Sequence, residues 1–537
     1  MATPIDPQVL TEWLVDGDEL ALLDAREQGV YFDSHLFHAA CIPFSQIELL
    51  LARRVPRLDT RIVWCDAGDA SDLAVRAAAA GEAMGYTNCH VLTGGTAAWA
   101  NAGGELYSGV NVPSKAFGEF VEHTYGTPRM PAAELAQLLK DDADLVVLDS
   151  RPIEEFRNMS IPTGVDCPGA ELVHRVKEMA PDPDTLVVVN CAGRTRSIIG
   201  TQSLINAGLE NRVIALENGT MGWELAGLQV ERGLDIHAPD PTPASQAWST
   251  AAVADVARRF GVQEISPTQL SDWQADATRT TYLLDVRTPD EFGDGHIAGS
   301  SNAPGGQLVQ ATDEYVATQN ARLVLVDDNG VRATMTASWL IQLGWSDAVV
   351  LAGGIEAAVA AGVTVETGPL PRVSVPSAAT LSVSDLADSL EGDADVTVLD
   401  IGSSLKYRRN GHVPGAWWGL RSRLDEARAA IGDATTLVLV SSDGQLAKLA
   451  VAEASEHWPE AKVVALAGGN KAWRHAGHEM QTGFDRATTD ANDVWYKPYD
   501  HGDDVAEQHM RDYLTWEIAL VDQIVRDPTV NFEAYLQ

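Results

Sequence analysis

The sequence has few cysteines and no long hydrophobic run in a chain of 537 residues. Five cysteines are too few, and too oddly numbered, for a disulfide framework, which agrees with a reducing compartment. No apolar run approaches the roughly 20 residues that span a bilayer. The N-terminal segment lacks the basic and apolar regions of a secretory signal. We therefore expect a cytoplasmic protein with no membrane partner.

Basic residues are also scarce, since 38 Lys and Arg stand against 76 Asp and Glu, a formal net charge of −38. This charge argues against nucleic acid or an anionic membrane as a partner. No phosphate-binding loop or dinucleotide fingerprint occurs, so we expect no cofactor. His35, His38 and Cys41 lie at three-residue intervals, but they lack a paired Cys-x-x-Cys, and we predict no metal site.

A seven-residue segment between a predicted strand and a predicted helix carries the most specific chemical signal. It follows the apolar β-branched run 186–190 and consists of Cys191, Ala192, Gly193, Arg194, Thr195, Arg196 and Ser197. In such a turn, the loop amides and the free amides of the first helical turn point at one small volume, which suits an anion. The alternative is a buried structural cysteine, which has no need of a loop glycine and two arginines.

The charges around this turn favour an ionised, nucleophilic sulfur. A free cysteine has a pKa of about 8.5, and a helix N-terminus with adjacent arginines lowers such a value by one unit to several. We therefore predict that Cys191 is largely a thiolate and that residues 192–197 form the substrate-binding loop. A thiolate attacks a soft sulfane sulfur, and Arg194, Arg196 and the loop amides would hold the resulting persulfide anion.

The chain is an internal repeat of four units, which decides its architecture. Four buried-strand patterns end in an acidic residue, at Asp24, Asp149, Asp285 and Asp400. A second strand and its turn follow after 41 or 42 residues, at Cys65, Cys191, Asp327 and Ser441. Short β-rich runs that alternate with helical patterns predict an α/β fold in which each unit is a small parallel sheet with helices on both faces.

Stretches rich in proline or glycine mark the boundaries of these units. We predict four repeats followed by a helical tail, at residues 1–110, 125–236, 257–370, 375–483 and 484–537. Apolar residues recur in the tail at the spacing of a helix: Met510, Tyr513, Leu514, Ile518, Leu520, Val521 and Ile524. Such an amphipathic stripe is expected to pack on its own protein, with a partner-binding helix as the alternative.

Two signature segments give these repeats a family resemblance. Segments 285–292 (Asp-Val-Arg-Thr-Pro-Asp-Glu-Phe) and 295–300 (Gly-His-Ile-Ala-Gly-Ser) resemble the first signature of the rhodanese superfamily, and 411–416 repeats its second half. The Cys191 loop is similar to the rhodanese active-site loop. The resemblance implies four tandem rhodanese-like domains. It also implies a thiosulfate sulfurtransferase that moves sulfane sulfur to cyanide or a thiol through a persulfide of this cysteine.

Loop length separates this expectation from related chemistries. Four residues lie between Cys191 and Arg196. Sulfurtransferases of the family use this compact loop, whereas the related phosphatases and arsenate reductases have one residue more. Small sulfur-containing anions and thiols are then the expected partners. The alternative function is a persulfide carrier or scaffold that delivers sulfur to protein partners, docked through repeats 3 and 4 or the tail.

The four repeats are expected to differ in activity. Asp327 and Ser441 replace the nucleophile in repeats 3 and 4, and a serine without a general base is inert. Repeat 1 keeps Cys65, but nearby aspartates and the lack of a loop arginine predict that this thiol is silent. By resemblance to two-domain rhodaneses, repeat 1 is expected to dock on the catalytic repeat 2, and repeats 3 and 4 to form a matching pair.

Four further residues of repeat 2 lie near the loop. Asp149 and Arg151, at the end of the first strand, are interpreted as a structural ion pair that braces the loop. Arg175 either holds an anionic substrate at the mouth of the site or is a helix-surface arginine. Cys167 is interpreted as a small core residue rather than a thiol that resolves an oxidised Cys191.

Overall fold

Four similar α/β domains and a C-terminal tail make up the protein in the computed structural model, which describes residues 2–392 and 395–536. Each domain is built on a five-stranded parallel sheet with the same spatial order, in which the first strand is followed by the fifth, fourth, second and third. Parallel neighbours need crossover connections, which the helices supply. The predicted α/β class and the four tandem repeats are confirmed.

The strands of each sheet lie side by side in the following order. Repeat 1 contains Thr3–Ile5, Cys89–Leu92, Arg61–Cys65, Leu20–Asp24 and Ala40–Cys41. Repeat 2 contains Arg129–Met130, Val213–Leu216, Leu186–Asn190, Leu145–Asp149 and Gly164–Asp166. Repeat 3 contains Gln263–Ile265, Ala348–Leu351, Arg322–Val326, Thr281–Asp285 and Ser301–Asn302, with a separate antiparallel pair, His296–Ile297 and Val365–Glu366. Repeat 4 contains Thr380–Leu381, Lys462–Leu466, Thr436–Val440, Val396–Asp400 and Trp417–Trp418.

The α-helices flank these sheets and connect the repeats. Repeat 1 has Pro7–Trp13, Gln28–Asp33, Ile47–Arg54, Leu73–Ala83 and Gly95–Asn101. Repeat 2 has Ala132–Lys140, Ile153–Asn158, Glu171–Met179, Thr195–Asn206 and Gly219–Leu225. Repeat 3 has Pro267–Ala275, Pro289–Asp294, Gly305–Gln310, Thr312–Tyr315, Val331–Gln342 and Gly354–Ala360. Repeat 4 has Val383–Glu391, Ser404–Asn410, Leu424–Ile431, Gln445–His457 and Gly469–His475. The remaining helices are Val112–Tyr125, called the linker helix below, Pro243–Phe260 and Asp503–Arg526, called the tail helix, and short 3-10 turns occur at Phe44–Gln46, Arg421–Arg423 and Pro498–Asp500.

The tail helix packs on the linker helix, and thus on its own protein. Of the predicted apolar stripe, Met510, Leu514, Leu520 and Ile524 are buried. Ile518 is 47% exposed, so its assignment to the buried stripe is wrong. Among the described residues, no helix is both long and apolar enough to cross a bilayer.

Repeat 2 pairs with repeat 3 rather than with repeat 1. One hydrophobic core is continuous across both repeats and includes Leu148, Leu172, Val189, Leu308 and Leu325. The turn at Gly169 meets the first turn of the helix Gly305–Gln310 at this interface, where a Cβ atom on Gly306 would lie 2.9 Å from the backbone nitrogen of Gly169. The expected pairing of repeats 3 and 4 is therefore wrong, because the face of repeat 3 that would receive repeat 4 is buried against repeat 2.

The polar contacts of this interface are reciprocal. Arg332 of repeat 3 donates a hydrogen bond of 2.8 Å to Glu171 of repeat 2. Arg196 of repeat 2 donates one of 3.1 Å to Gln307 of repeat 3. Arg196 and Arg332 hold the same place in their repeats, as do Glu171 and Gln307, so the two units meet as an approximately symmetric pair.

Repeats 1 and 4 form the second pair. Arg421 of repeat 4 donates two hydrogen bonds, of 2.7 and 2.8 Å, to the carboxylate of Glu48 in repeat 1. Ser422 donates one of 2.8 Å to Glu27 of repeat 1. The expected docking of repeat 1 on repeat 2 is thus replaced by a nested arrangement, in which the outer repeats pair with each other around the inner pair.

Raising the pH through neutrality should destabilise the pairing of repeats 1 and 4. Burial raises the pKa of Glu27 from 4.5 to about 7, although hydroxyl groups of Ser422 and Ser45 partly oppose the shift. When folding raises the pKa of a carboxyl group, the group's contribution to the stability of the fold is fully present at pH values below its pKa in the unfolded chain. This contribution is lost as the pH rises through its pKa in the folded protein. The Glu27→Gln variant should lack this loss, which amounts to at most about 3 kcal/mol.

Urea titrations from mildly acidic to alkaline pH measure this difference in the free energy of unfolding. The exposed Glu134 of repeat 2 provides a matched control, and Glu134→Gln should keep the wild-type pH dependence. An identical pH dependence in wild type and Glu27→Gln would contradict the prediction.

Candidate active site

The Cys191 loop is shaped by hydrogen bonds from the turn that closes repeat 2. The carbonyl of Cys191 accepts hydrogen bonds from the amide of Thr220 at 2.8 Å and from its hydroxyl at 3.1 Å, and the carbonyl of Ala192 accepts one from Met221 at 2.9 Å. Gly219 has φ +55°, and a Cβ atom there would lie 2.3 Å from the Cys191 carbonyl oxygen. Only glycine permits this approach. Because the loop carbonyls turn toward this helix, the loop amides face the other way.

The amides that follow Cys191 are free to bind an anion. Within residues 2–392 and 395–536, no acceptor is bound to the backbone N–H groups of residues 192–197. Cys191 is 2% exposed, and its Sγ lies 3.4 Å from the hydroxyl oxygen of Ser197, which donates to the carbonyl of Arg194. The sulfur thus sits at the N-terminus of the helix Thr195–Asn206, beside unpaired donors.

Repeat 3 shows what the same loop does with a carboxyl group in place of the thiol. Asp327 holds the place of Cys191, since the residue before each of them pairs with the aspartate that ends the second strand of its repeat. Its carboxylate accepts hydrogen bonds from the amides of Gly330 at 2.6 Å, Arg332 at 2.9 Å and Ala333 at 3.1 Å. The loop is therefore an anion cradle in the third repeat.

Cys65 does not hold the nucleophile's position in repeat 1. Asp24 pairs with Cys65, whereas Asp149 pairs with Asn190, so Cys65 is the counterpart of Asn190. The counterpart of Cys191 is Asp66, whose backbone carbonyl accepts a hydrogen bond from an amide of the turn that closes repeat 1. Its carboxylate accepts hydrogen bonds from the amides of Gly68 and Ala74 at 2.8 and 2.9 Å. Spacing alone does not reveal this register, because Ser441 also lies 41 residues after Asp400 and does hold the place of Cys191. Burial raises the pKa of Cys65 well above its ordinary value.

Repeat 4 carries a neutral group in the same place. The Ser441 hydroxyl oxygen accepts a hydrogen bond of 3.2 Å from the amide of Ala447. Asp66, Asp327 and Ser441 therefore all turn an oxygen toward the helix that follows them. Cys191 alone presents sulfur among these four equivalent positions.

Asp149 and Arg151 form a buried, two-pronged ion pair. Arg151 donates from Nε and Nη2 to the two carboxylate oxygens at 2.8 and 2.7 Å, and Nη2 also donates to the carbonyl of Met159 at 2.7 Å. Asn190 donates to the same carboxylate at 2.7 Å, which ties the pair to the residue before the nucleophile. The same aspartate–arginine pair recurs in repeat 3, where Asp327 stands in place of the thiol, which agrees with the interpretation of a structural pair.

Arg194 points away from the thiol. Its Nε and Nη2 atoms donate to the carboxylate of Glu119 at 2.6 and 2.8 Å, and Nη2 also donates to Glu122. Both glutamates belong to the linker helix. The expectation that the guanidinium of Arg194 binds substrate is not supported by this geometry, because two carboxylates already occupy its donors. Its side chain fixes the loop to the linker helix instead.

Arg196 lines a cavity beside the loop and is held from two sides. It donates to both carboxylate oxygens of Glu155, at 3.0 and 2.8 Å, and to Gln307 of repeat 3. Although burial would raise the pKa of Glu155, the neighbouring guanidinium lowers it to about 2. The ion pair thus stays charged over the physiological range, with Arg196 in a fixed orientation.

Arg175 and Cys167 lie outside this site. Arg175 donates to Glu171 at 2.7 Å and to Asp240 at 2.8 Å, and it is not among the residues that line the cavity in the described part of the chain. Its substrate-binding assignment is not supported, and the helix-surface alternative agrees with these contacts. Cys167 is fully buried in the core shared by repeats 2 and 3.

The tail and the linker helix close the site, which sequence reasoning missed. The cavity has a volume of about 440 Å³ and borders the loop at Ala192 and Arg196, with Lys115 of the linker helix and Tyr499 and Tyr513 of the tail among its other walls. No local sequence pattern predicts that these residues lie near Cys191, because they are far from it in the chain. Proximity of the tail was indicated only by its apolar stripe.

The tail helix touches the loop directly. Thr195 donates a hydrogen bond of 2.8 Å to Glu517, which is fully buried. A Cβ atom on Gly193 would lie 3.4 Å from the Oε2 atom of Glu517 and from the ring of Tyr513. The linker helix is equally close, since a Cβ atom on Gly118 would lie 2.8 Å from the methyl group of Thr195. Small residues thus let both helices approach the loop.

Comparison with known proteins places this fold in a family. The model of the rhodanese-like domain matches residues 6–102, 131–226, 266–361 and 382–476. These segments make up more than half of the chain, which therefore belongs to the rhodanese family. The crystal structure of a thiosulfate sulfurtransferase from Pseudomonas aeruginosa is similar over 99% of this chain and 99% of that one, with 45% sequence identity and a TM-score of 0.93.

Two curated relatives match single stretches of the chain. The thiosulfate sulfurtransferase GlpE of Pseudomonas aeruginosa is 30% identical over 96 residues, which are 18% of this chain and 81% of GlpE. An HTH-type transcriptional regulator of Mycobacterium tuberculosis is 31% identical over 113 residues, which are 21% of this chain and 49% of the regulator. The chain thus spans about half the length of that regulator.

Proposed function

We propose that the protein is a sulfurtransferase that takes the outer sulfur of thiosulfate onto Cys191 and passes it to cyanide or a small thiol. The observation that carries this proposal is the anion cradle, which is filled by the carboxylate of Asp327 in repeat 3 and is left open in front of Cys191. The similarity to a thiosulfate sulfurtransferase over nearly the whole chain supports the same chemistry.

The side chain of Asp327 and a cysteine persulfide place their terminal atoms at a similar distance from the backbone. A carboxylate oxygen of aspartate is three bonds from Cα, and so is the outer sulfur of a persulfide. Because three amides bind the Asp327 carboxylate, the equivalent amides of Arg194, Arg196 and Ser197 are placed to bind a persulfide anion on Cys191. Fixed donors of this kind stabilise developing charge without reorganisation.

The proposed reaction has two displacement steps. The Cys191 thiolate attacks the outer sulfur of thiosulfate, a new S–S bond forms, and the electron pair of the broken S–S bond leaves with sulfite. Cyanide or a thiolate then attacks the outer sulfur of the persulfide. The Cys191 thiolate leaves with the bonding pair, and thiocyanate or a new persulfide is released. No proton or external electron is consumed in either step.

The closed site favours small substrates over a docked protein. Cys191 is 2% exposed, and the tail, the linker helix and repeat 3 supply walls of the cavity. A partner protein would have to displace the tail to reach the sulfur. These contacts weigh against the alternative of a carrier or scaffold that relays sulfur directly to protein partners.

Incubation of the full-length protein with thiosulfate and cyanide tests the proposal. Thiocyanate should form with many turnovers, and donor treatment alone should add the mass of one sulfur atom to the intact protein. A labile sulfur on Cys191 without turnover would favour the carrier instead. Phosphate release from an aryl phosphate, with no thiocyanate, would contradict the proposed sulfur chemistry.

A further inference from the structure

Lys115 is a cation beside the nucleophile that belongs to neither the loop nor the repeat that carries it. It lies on the linker helix one turn before Glu119, the residue that holds Arg194. Residues four apart share a helix face, and this face meets the Cys191 loop. Lys115 is only 8% exposed and is one of the walls of the cavity.

Lys115 is a buried cation of this site whose hydrogen-bond donors are unused, whereas Lys497, another lysine among the cavity walls, is exposed. The Nζ atom of Lys115 lies 3.6 Å from Oε1 of Glu517, too far for a hydrogen bond. That oxygen already accepts a hydrogen bond from Thr195. In residues 2–392 and 395–536, no atom accepts a hydrogen bond from this ammonium group, which has three donors. Arg194 and Arg196, by contrast, are both forked onto glutamate carboxylates.

The surroundings of Lys115 position the ammonium group and leave room for an anion. The side chain passes over the ring of Tyr513, with Nζ 5.8 Å from its centroid. Burial lowers the pKa of Lys115, and the charges of Glu517, Cys191 and Glu155 oppose this shift, whereas Arg196 adds to it. A bound oxyanion would accept the hydrogen bonds that this buried ammonium does not otherwise make.

We propose that Lys115 binds the anionic SO3 group of the sulfur donor and thereby selects donors that carry an oxyanion next to the transferable sulfur. The inference rests on the proposed sulfurtransferase activity and adds the residue that recognises the donor. The cradle holds the outer sulfur, and Lys115 with Arg196 faces the oxygen atoms at the other end of the same small molecule. Lys115 is a binding residue and takes no part in the bond changes.

A Lys115→Met variant tests this assignment through the two half-reactions. The rate constant for persulfide formation from thiosulfate should fall about tenfold or more, as expected for the loss of a charge-assisted hydrogen bond. With 2-hydroxyethyl persulfide, a donor that has no oxyanion, the rate constant should change far less. Lys115→Arg should restore part of the preference for thiosulfate.

Lys177→Met is the matched control, because Lys177 is positioned over the ring of Trp248 and does not line the cavity. It should behave as wild type with both donors. Since Lys115→Met leaves the buried Glu517 uncompensated, the double variant Lys115→Met/Glu517→Gln serves if the single variant does not fold.

Each remaining result overturns the assignment. Equal losses with both donors would show that Lys115 only maintains the fold, and an unchanged rate with thiosulfate would show that the ammonium does not contact the donor. If wild type forms no persulfide with either donor, both the proposed function and this inference fail. If the assignment of Lys115 fails but the proposed function holds, the wild-type protein still forms the persulfide, so the two failures can be distinguished.

Discussion

Replacing Cys191 by alanine should lower the rate of thiocyanate formation by about a thousandfold or more, because no other group can carry the covalent intermediate. The donor should no longer add a sulfur atom to the protein. The fold should persist, since the neighbouring Ser197 hydroxyl keeps its hydrogen bond to the carbonyl of Arg194. Stopped assays for thiocyanate, with intact-protein mass analysis, measure both effects.

The other buried cysteines provide matched controls for this variant. Burial raises the pKa of Cys65 and of Cys167 well above the ordinary value, so neither thiol supplies a thiolate near neutral pH. Cys65→Ala and Cys167→Ala should therefore keep most of the activity. Substantial turnover by Cys191→Ala, or its loss in Cys65→Ala with the fold intact, would contradict the assignment of the nucleophile.

Replacing Arg194 by methionine should destabilise the second repeat by about 3–5 kcal/mol, because it leaves a buried carboxylate without its partner. Glu119 is fully buried and accepts two hydrogen bonds from Arg194. Burial raises the pKa of Glu119, and Arg194 opposes that shift. Without the guanidinium the pKa should rise further, so the loss of stability should be larger at alkaline than at mildly acidic pH.

Urea titrations of three variants separate this role from substrate binding. The double variant Arg194→Met/Glu119→Met should recover most of the lost stability, since it removes both charges. Arg157→Met is the matched control, because Arg157 forms an exposed pair with Asp235, and it should cost under about 1 kcal/mol. If Arg194→Met were as stable as wild type but bound thiosulfate poorly, Arg194 would be a substrate ligand after all.

The fourfold repeat and the Cys191 turn could be predicted from the sequence because the patterns that indicate them are local. Buried apolar runs that end in Asp24, Asp149, Asp285 and Asp400 predict the strands, and the sheets follow them. The Cys191 turn falls between a strand and a helix, as its sequence indicates. Such features depend on residues that are neighbours in the chain, so the sequence contains what is needed to place them.

The errors concern contacts between distant segments. The pairing of repeat 2 with repeat 3 depends on their shared hydrophobic core and on the reciprocal contacts of Arg196 and Arg332, which join segments far apart in the chain. The direction of Arg194 depends on Glu119, about 75 residues earlier. Lys115 carries no motif. Cys65 and Ser441 both lie 41 residues after an aspartate, but only Ser441 holds the place of Cys191, so the register of Cys65 was visible only in the strand pairing.

The carboxylate of Asp327 has a consequence for how such proteins lose activity. It occupies the loop amides as a tethered ligand with which a dissolved anion competes poorly, since its local concentration is fixed by the chain itself. A single codon change can thus silence a catalytic unit and, at the same time, satisfy the donors that an empty loop would leave unpaired. The third repeat thus keeps its shape without a thiol of its own and remains able to supply the core and the cavity wall that it shares with repeat 2.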